Sequence, residues 1–135
     1  MNSTKLTLAA LAAAFSFTVA ASAEDAKLPA ASDKKDVTYA TDIKPIFEAS
    51  CLKCHTSTNK PRAGVGLETL EATLKGGKEG KVVIVGDSAK SSLVLSIAHV
   101  GDADTFMPKG KGAKALTAEQ VGLIRAWIED RKSVV

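Results

Sequence analysis

The sequence predicts a small, mostly α-helical domain that follows an N-terminal leader. Four segments after residue 40 carry apolar residues at helical spacing. One short apolar run, Lys81 to Val85, has the composition of an extended segment without an obvious partner strand. Removal of the first 23 residues from the 135 of the chain leaves 112 residues, which is the size of one smaller domain. The core of such a domain is limited, so a bound apolar group would supply much of the missing buried surface.

The first 23 residues have the pattern of a secretory signal peptide. Lys5 precedes an apolar stretch from Leu6 through Ala21 that holds no charged residue, and the predicted signal peptide ends on Ala21-Ser22-Ala23. Small residues there are typical of a cleavage site, here before Glu24. The apolar stretch is shorter than the ~20 residues of a spanning helix, which disfavours an uncleaved membrane anchor. We therefore expect an exported, periplasmic protein with no membrane span after signal cleavage.

The mature chain divides into a leader and a domain. Residues 24–38 carry charges, alanines and Pro29 without a sustained apolar period, which predicts a flexible leader, with a short helix packed on the domain as the alternative. Residues 39–135 form the predicted domain. The whole chain carries a formal charge of +3, and loss of Lys5 leaves 17 basic and 15 acidic residues, or +2. Because the lysines are spread among acids and aromatic residues are few, nucleic acid is not an expected partner.

The run Cys51-Leu52-Lys53-Cys54-His55 is the most informative stretch of the chain. A C-x-x-C-H run is typical of haem c attachment. Two thiols on one helical turn can add across the two vinyl groups of one porphyrin, and the adjacent imidazole can donate a nitrogen lone pair to the iron. The sequence therefore predicts one haem c, bound covalently through Cys51 and Cys54, with His55 as an iron ligand.

A thiol redox pair and half of a zinc site are the alternative interpretations of this run. A thioredoxin-like domain would alternate strands and helices around the motif, whereas this chain is mostly helical in pattern. Zinc needs about four ligands, and the cysteines and histidines of the chain are Cys51, Cys54, His55 and His99, two of them adjacent. Both alternatives are weaker than haem, which also fits export if the compartment keeps the thiols reduced.

Helical spacing predicts four short helices within the domain. Their predicted apolar faces are Ile43, Ile46 and Phe47; Leu67, Leu70, Ala72 and Leu74; Leu93, Val94, Ile97 and Ala98; and Val121, Leu123, Ile124, Trp127 and Ile128. The expected caps are Thr41 or Asp42 for the first helix, which has Pro45 in its first turn, Asp87 for the third, and a capping box of Thr117 with Gln120 for the fourth. Trp127 is expected to pack against Phe47, with Gly122 permitting close approach.

Two polar loops follow the motif. Residues 56–64 are rich in turn formers and should cover the His55 side of the haem. One of their carbonyls is expected to accept the second ring N–H of His55, with Pro61 as the candidate, and Arg62 is a candidate partner for a haem propionate. For Pro61 and Arg62 alike, an ordinary solvated loop residue is the favoured interpretation. Residues 76–81 lack the residues of a phosphate loop at positions 75 and 82, and they predict a flexible turn.

Met107 is the leading candidate for the second iron ligand. It is the one methionine left after Met1 departs, and it lies in a loop, residues 101–115, that is rich in Gly, Lys and Asp. Pro108 biases its backbone towards an extended conformation, and a thioether is the soft, neutral donor of low-spin electron-transfer haems. His99, at the predicted end of the third helix, is the second candidate, although a surface or capping histidine is its plainer interpretation.

Several motifs occur in order between Tyr39 and Ile128. They are Asp42-Ile43-Lys44-Pro45-Ile46-Phe47, Cys51 to His55, Gly86-Asp87 followed by Ser91-Ser92-Leu93, Met107-Pro108, Leu116-Thr117-Ala118-Glu119-Gln120, and Ile124-Arg125-Ala126-Trp127-Ile128. In these motifs the chain resembles the small bacterial monohaem cytochrome c domains of the planctomycete-associated kind, within the class I cytochrome c fold. The resemblance implies a mostly helical domain around one covalent haem, with His55 below the iron and Met107 above it.

A six-coordinate haem has no iron position for a substrate, so the predicted function is single-electron transfer without substrate turnover. The expected partners are a donor dehydrogenase and an acceptor oxidase or reductase. The protein itself is expected to be a monomer or a subunit of a redox complex. Lys109, Lys111 and Lys114 are candidates for a docking face towards an acidic partner, with solvating charges as an equal interpretation. The alternative function is a haem enzyme or gas sensor with an open or labile sixth iron position, in which His99 would be the acid–base group.

Overall fold

The computed structural model describes Ala23 and residues 25–130. The signal peptide predicted for residues 1–23 lies outside the described residues, apart from Ala23. The four helices of the described part are α1 (Lys44–Ser50), α2 (Leu70–Lys75), α3 (Ser92–Ile97) and α4 (Ala118–Glu129). Single 3₁₀ turns occur at Asp25–Lys27, Ser57–Asn59, Arg62–Gly64 and Ala103–Thr105. Within residues 25–130 no strand forms, which confirms the predicted mostly helical class.

The run from Lys81 to Val85, predicted to be extended, pairs with α3 and not with a strand. The Val82 carbonyl accepts the Leu93 amide at 3.0 Å, and the Ile84 amide donates to the Ser91 hydroxyl at 2.8 Å. The start of α3 therefore supplies hydrogen-bond partners that a neighbouring strand would otherwise supply.

Helical structure begins earlier than the sequence predicted. A π-helical turn, Tyr39–Ile43, runs directly into α1, and its cap is Thr38. The Thr38 hydroxyl accepts the Thr41 amide at 3.3 Å, and the Asp42 carboxylate accepts the Thr38 amide at 2.9 Å. The expected cap at Thr41 or Asp42 is therefore wrong, because the chain leaves the extended conformation at Thr38. Pro45 lies in the first turn of α1, as predicted.

The caps of the later helices agree only in part with the predictions. Asp87 accepts the Lys90 amide at 3.1 Å in a turn that precedes α3, so it does not cap that helix, which begins at Ser92. At α4 the capping box is confirmed: the Gln120 amide donates to the Thr117 hydroxyl at 3.2 Å, and the Thr117 amide donates to the Gln120 side chain at 2.9 Å.

The core centres on three aromatic rings. Phe47 in α1 and Trp127 in α4 are fully buried. Tyr39 contacts both, with ring centroids 6.2 Å from Phe47 and 5.9 Å from Trp127. Tyr39 thus links the two residues that the sequence predicted to meet. Around them are buried Ile43, Ile46, Val94, Ile97, Val121, Ile124 and Ile128.

Residues 25–38, predicted as a flexible leader, pack along α4. Leu28 and Val37 are buried, and the Ser32 amide donates to the Gly122 carbonyl at 2.9 Å. A Cβ at position 122 would lie 2.5 Å from the Ala30 carbonyl oxygen, so glycine is needed for this approach and not for the α1 contact that was expected. The segment therefore adds to the core. The limits of the three predicted parts, 1–23, 24–38 and 39–135, stay a prediction.

Arg125 joins this segment to the rest of the domain. Its buried guanidinium donates to the Ser88 hydroxyl at 2.9 Å, to the Pro29 carbonyl at 2.6 Å and to the Asp25 carboxylate. The Ser88 amide donates to Glu129 at 2.9 Å. One side chain of α4 therefore connects the N-terminal segment with the turn before α3.

We expect Arg125→Ala to lower the free energy of unfolding by about 1–3 kcal/mol, because the buried Ser88 hydroxyl and Pro29 carbonyl lose their donor. Urea unfolding followed by circular dichroism measures the change. The control Lys90→Ala removes an exposed ion pair with Asp87 and should cost less than about 0.5 kcal/mol. Equal losses in the two variants would contradict the role of Arg125.

The fold should also lose stability at acid pH through Asp42. The Lys34 ammonium and the Thr38 amide lower the pKa of Asp42 to about 2. Because an unfolded aspartate has a pKa of about 4, the carboxylate stabilises the fold above about pH 4, and this contribution disappears as the pH falls towards 2. Asp42→Asn should therefore show a smaller loss of thermal stability between pH 4 and pH 2 than the wild type.

A matched pair of lysine variants separates the ion pair from general charge effects. Lys34→Gln removes the ammonium that contacts Asp42 and should reduce the acid dependence, whereas Lys35→Gln removes an exposed neighbour and should retain it. Thermal unfolding followed by circular dichroism reads both. Identical acid profiles in the two variants would show that the Lys34 contact does not matter.

Candidate haem site

The Cys51–His55 run forms one turn at the C-terminal end of α1. The amides of Cys54 and His55 both donate to the Cys51 carbonyl at 3.1 Å, and the Cys51 amide donates to the Phe47 carbonyl at 2.7 Å. The turn thus carries two free thiols, half-buried on Cys51 and exposed on Cys54, and His55 follows directly in the chain. Since Phe47 is fully buried, the core fixes the point at which this turn begins.

The His55 ring is held by the carbonyl of Val65. His55 Nδ1 lies 3.2 Å from this oxygen. A carbonyl only accepts, so Nδ1 carries the proton and the lone pair is on Nε2, as a ligand of iron requires. The candidate acceptor Pro61 does not have this role: its carbonyl accepts the Gly64 amide at 2.8 Å, as in an ordinary loop turn, which was the favoured interpretation of Pro61.

Tyr39 supports the loop that carries Val65. Its hydroxyl donates to the Leu67 carbonyl at 2.6 Å, and the Leu67 amide donates to the His55 carbonyl at 2.8 Å. Burial raises the pKa of the Tyr39 hydroxyl, which keeps it protonated as a donor. Sequence reasoning missed this residue. The available signal was the position of Tyr39 directly before an apolar helix. A tyrosine buried there needs a hydrogen-bond partner for its hydroxyl, which would have predicted a contact with a nearby loop.

The glycine-rich turn after α2 packs against the same loop. The Lys78 amide donates to the Ala63 carbonyl at 2.9 Å. A Cβ on Gly77 would lie 2.5 Å from the Ala63 carbonyl oxygen and 2.6 Å from a methyl of Val65. The turn that was expected to be flexible is therefore in close contact with the residue whose carbonyl holds His55.

Met107 is half-buried and packs against the hydrophobic core, which Cys51 also borders. The Met107 amide donates to the Ser96 carbonyl at 3.0 Å, and its carbonyl lies 2.9 Å from His99 Nε2. The loop is thus fixed to the end of α3 at both backbone groups of Met107. Ligation of iron by Met107 stays a prediction.

The second candidate ligand, His99, has a different environment. Its ring stacks on Phe106 with centroids 4.8 Å apart and planes at 3°. A carbonyl only accepts, so His99 Nε2 donates a hydrogen bond to the Met107 carbonyl and has no lone pair for iron in this arrangement, whereas Nδ1 keeps one. Which of the two residues ligates iron stays a prediction.

The residue chemistry fits a haem better than the other cofactors considered. Burial raises the pKa of the Cys51 thiol to about 11, whereas reactive thiol pairs have a lowered pKa. In the part of the chain that the structure describes, no group of three or more His, Cys, Asp or Glu side chains is placed to hold a metal ion. The half-buried apolar residues packed against the core include Leu52, Val65, Leu70, Leu74 and Leu116.

A small helical domain with two thiols and an imidazole on one turn has the site of a c-type cytochrome. The family model described as Planctomycete cytochrome C matches residues 51–110, from the first cysteine to the loop after Met107. This match supports a cytochrome c-type domain in the chain, as its motifs predicted. Comparisons with curated proteins and with solved structures gave no match. None of the helices in the described residues is long and apolar enough to cross a membrane.

Gly77→Ala should disturb the support of His55. The new methyl group would overlap the Ala63 carbonyl and Val65, and we expect a loss of about 1–3 kcal/mol in the free energy of unfolding, as for other overpacked sites. Urea unfolding measures it. Glu79→Ala, at an exposed position of the same turn, is the matched control and should behave as the wild type. A Gly77 variant of unchanged stability would argue against this packing.

Proposed function

We propose that the protein is an exported, periplasmic monohaem c-type cytochrome that transfers single electrons between partner proteins. The observation that carries the proposal is the Cys51–His55 turn, with His55 Nδ1 held by the Val65 carbonyl at 3.2 Å. This contact leaves the Nε2 lone pair for iron while both thiols remain free for attachment. The cytochrome c-type domain at residues 51–110 supports haem-based electron transfer.

Four residues would hold the cofactor. Cys51 and Cys54 would bind one haem c through thioether bonds, and His55 and Met107 would hold its iron. The group would supply an iron that changes its charge by one electron. If both side chains hold the iron, no iron position would remain for a substrate, so the protein is proposed to be a carrier and not an enzyme. His55 fixed by Val65, and Met107 fixed at both backbone groups, would limit rearrangement on electron transfer.

The proposed partners are redox proteins, a donor dehydrogenase and an acceptor oxidase or reductase. Lys109, Lys111 and Lys114 follow Met107 closely in the chain and are all exposed. A cluster of cations there would attract an acidic partner and make the rate of association depend on salt. Export through the signal peptide would bring the protein to the same compartment as these partners. Mass spectrometry of the exported protein shows whether cleavage occurs before Glu24.

The absorption spectrum of the exported protein tests the proposal. A c-type spectrum, a weak far-red sulfur-to-iron band in the oxidised state and no binding of carbon monoxide are expected. Met107→Ala should lose the far-red band and bind carbon monoxide, because the sixth position opens. Leu123→Ala, a comparable truncation of a half-buried apolar residue in α4, should retain the wild-type spectrum.

Two results would overturn the proposal. Rapid carbon monoxide binding by the wild-type protein would indicate an open or labile sixth position and favour the haem enzyme or gas sensor. A protein exported with its thiols intact and no haem spectrum would leave the thiol or metal module. Mutation of both Cys51 and Cys54 to serine should abolish haem that survives denaturation, which checks the attachment site directly.

A further inference from the structure

His99 has contacts that neither packing nor iron ligation explains. It is exposed, yet its ring stacks on Phe106 and its Nε2 lies 2.9 Å from the Met107 carbonyl oxygen. Its backbone has φ 56°, in the left-handed region that non-glycine residues seldom adopt. This conformation ends α3: the Val100 amide donates to the Leu95 carbonyl at 2.9 Å and the His99 amide to the Ser96 carbonyl at 3.4 Å, as at other helix ends with a left-handed residue after the cap. The stack on Phe106 and the bond to the Met107 carbonyl then give the His99 ring a specific position.

This position is directed at Met107. The Met107 amide donates to the Ser96 carbonyl at 3.0 Å, so His99 completes the hydrogen bonding of the Met107 backbone from the same end of α3. The residues that follow, 109–115, are exposed. Phe106 and Met107 are half-buried, so the residue proposed as the ligand lies in a part of the loop that contacts the rest of the fold.

We propose that His99 is a positioning residue that holds Met107 in place as the sixth ligand by donating from Nε2 to the Met107 carbonyl, with Phe106 orienting the imidazole. The proposal rests on the function proposed above, because it needs Met107 to ligate the iron. His99 itself does not ligate it. Without the donor, the loop can move away from the haem more freely, and a thioether is a weak ligand that such motion can displace.

Two variants separate the donor from the ring. His99→Gln retains an N–H donor and loses the aromatic stack, whereas His99→Phe retains a ring and loses the donor. Both variants place a non-glycine residue at the positive φ of position 99, so the backbone strain is comparable in the two variants and in the wild type. In the haem-loaded protein, His99→Phe should bind carbon monoxide with an apparent affinity about five- to tenfold higher, the effect of one lost hydrogen bond. It should also show a weaker far-red band and a lower reduction potential.

His99→Gln should remain close to the wild type in all three measurements. Suppose that the wild type has the far-red band and that His99→Phe leaves both the band and the carbon monoxide response unchanged. This result would overturn the role of His99 and leave Met107 ligation intact. Equal losses in the Gln and Phe variants, with equal falls in the midpoint of thermal unfolding, would overturn it as well, because they indicate general damage to the loop. Absence of the band from the wild type would instead overturn Met107 ligation itself.

Discussion

The hydrogen bond between the His55 ring and the Val65 carbonyl is the contact on which the haem site depends. It selects the ring nitrogen that carries the proton, and thereby the nitrogen that keeps a lone pair. Its two partners are positioned separately. Phe47 in the core sets the start of the turn that carries His55, and Gly77 allows a neighbouring turn to pack against Val65. A change at any of these positions would therefore act on the ring orientation without touching the ring.

The two sides of the candidate site are held in different ways. On the His55 side, the loop is connected to the aromatic core through the Tyr39 hydroxyl and the Leu67 backbone. On the Met107 side, the contacts are backbone bonds to the end of α3 and one exposed imidazole. The buried contacts on the His55 side break only when the core unfolds, whereas an exposed loop such as the one on the Met107 side opens locally at a lower free-energy cost. If Met107 ligates the iron as proposed, its thioether would be the ligand that is displaced more easily, and the sixth position is where a carrier and a sensor would differ.

The N-terminal segment contributes to the scaffold on the far side of α4. Arg125 places its guanidinium among Ser88, Pro29 and Asp25, and Gly122 lets the chain lie against the helix backbone. A small domain has little apolar surface to bury, so a segment that covers α4 adds to its stability. Truncation before residue 39 would remove these contacts together with Leu28 and Val37.

The sequence by itself determined the helical class, the capping box of Thr117 with Gln120 and the residues of the haem motif, because each depends on neighbours within a few positions. The partner of His55, the place of Tyr39 between Phe47 and Trp127, and the contacts of Arg125 were decided by the tertiary structure alone. They join residues 8 to 100 positions apart in the chain, or depend on which carbonyl a turn leaves open. Local propensity carries no information on such pairs, since any carbonyl of the loop satisfies the same chemical requirement until the fold selects one.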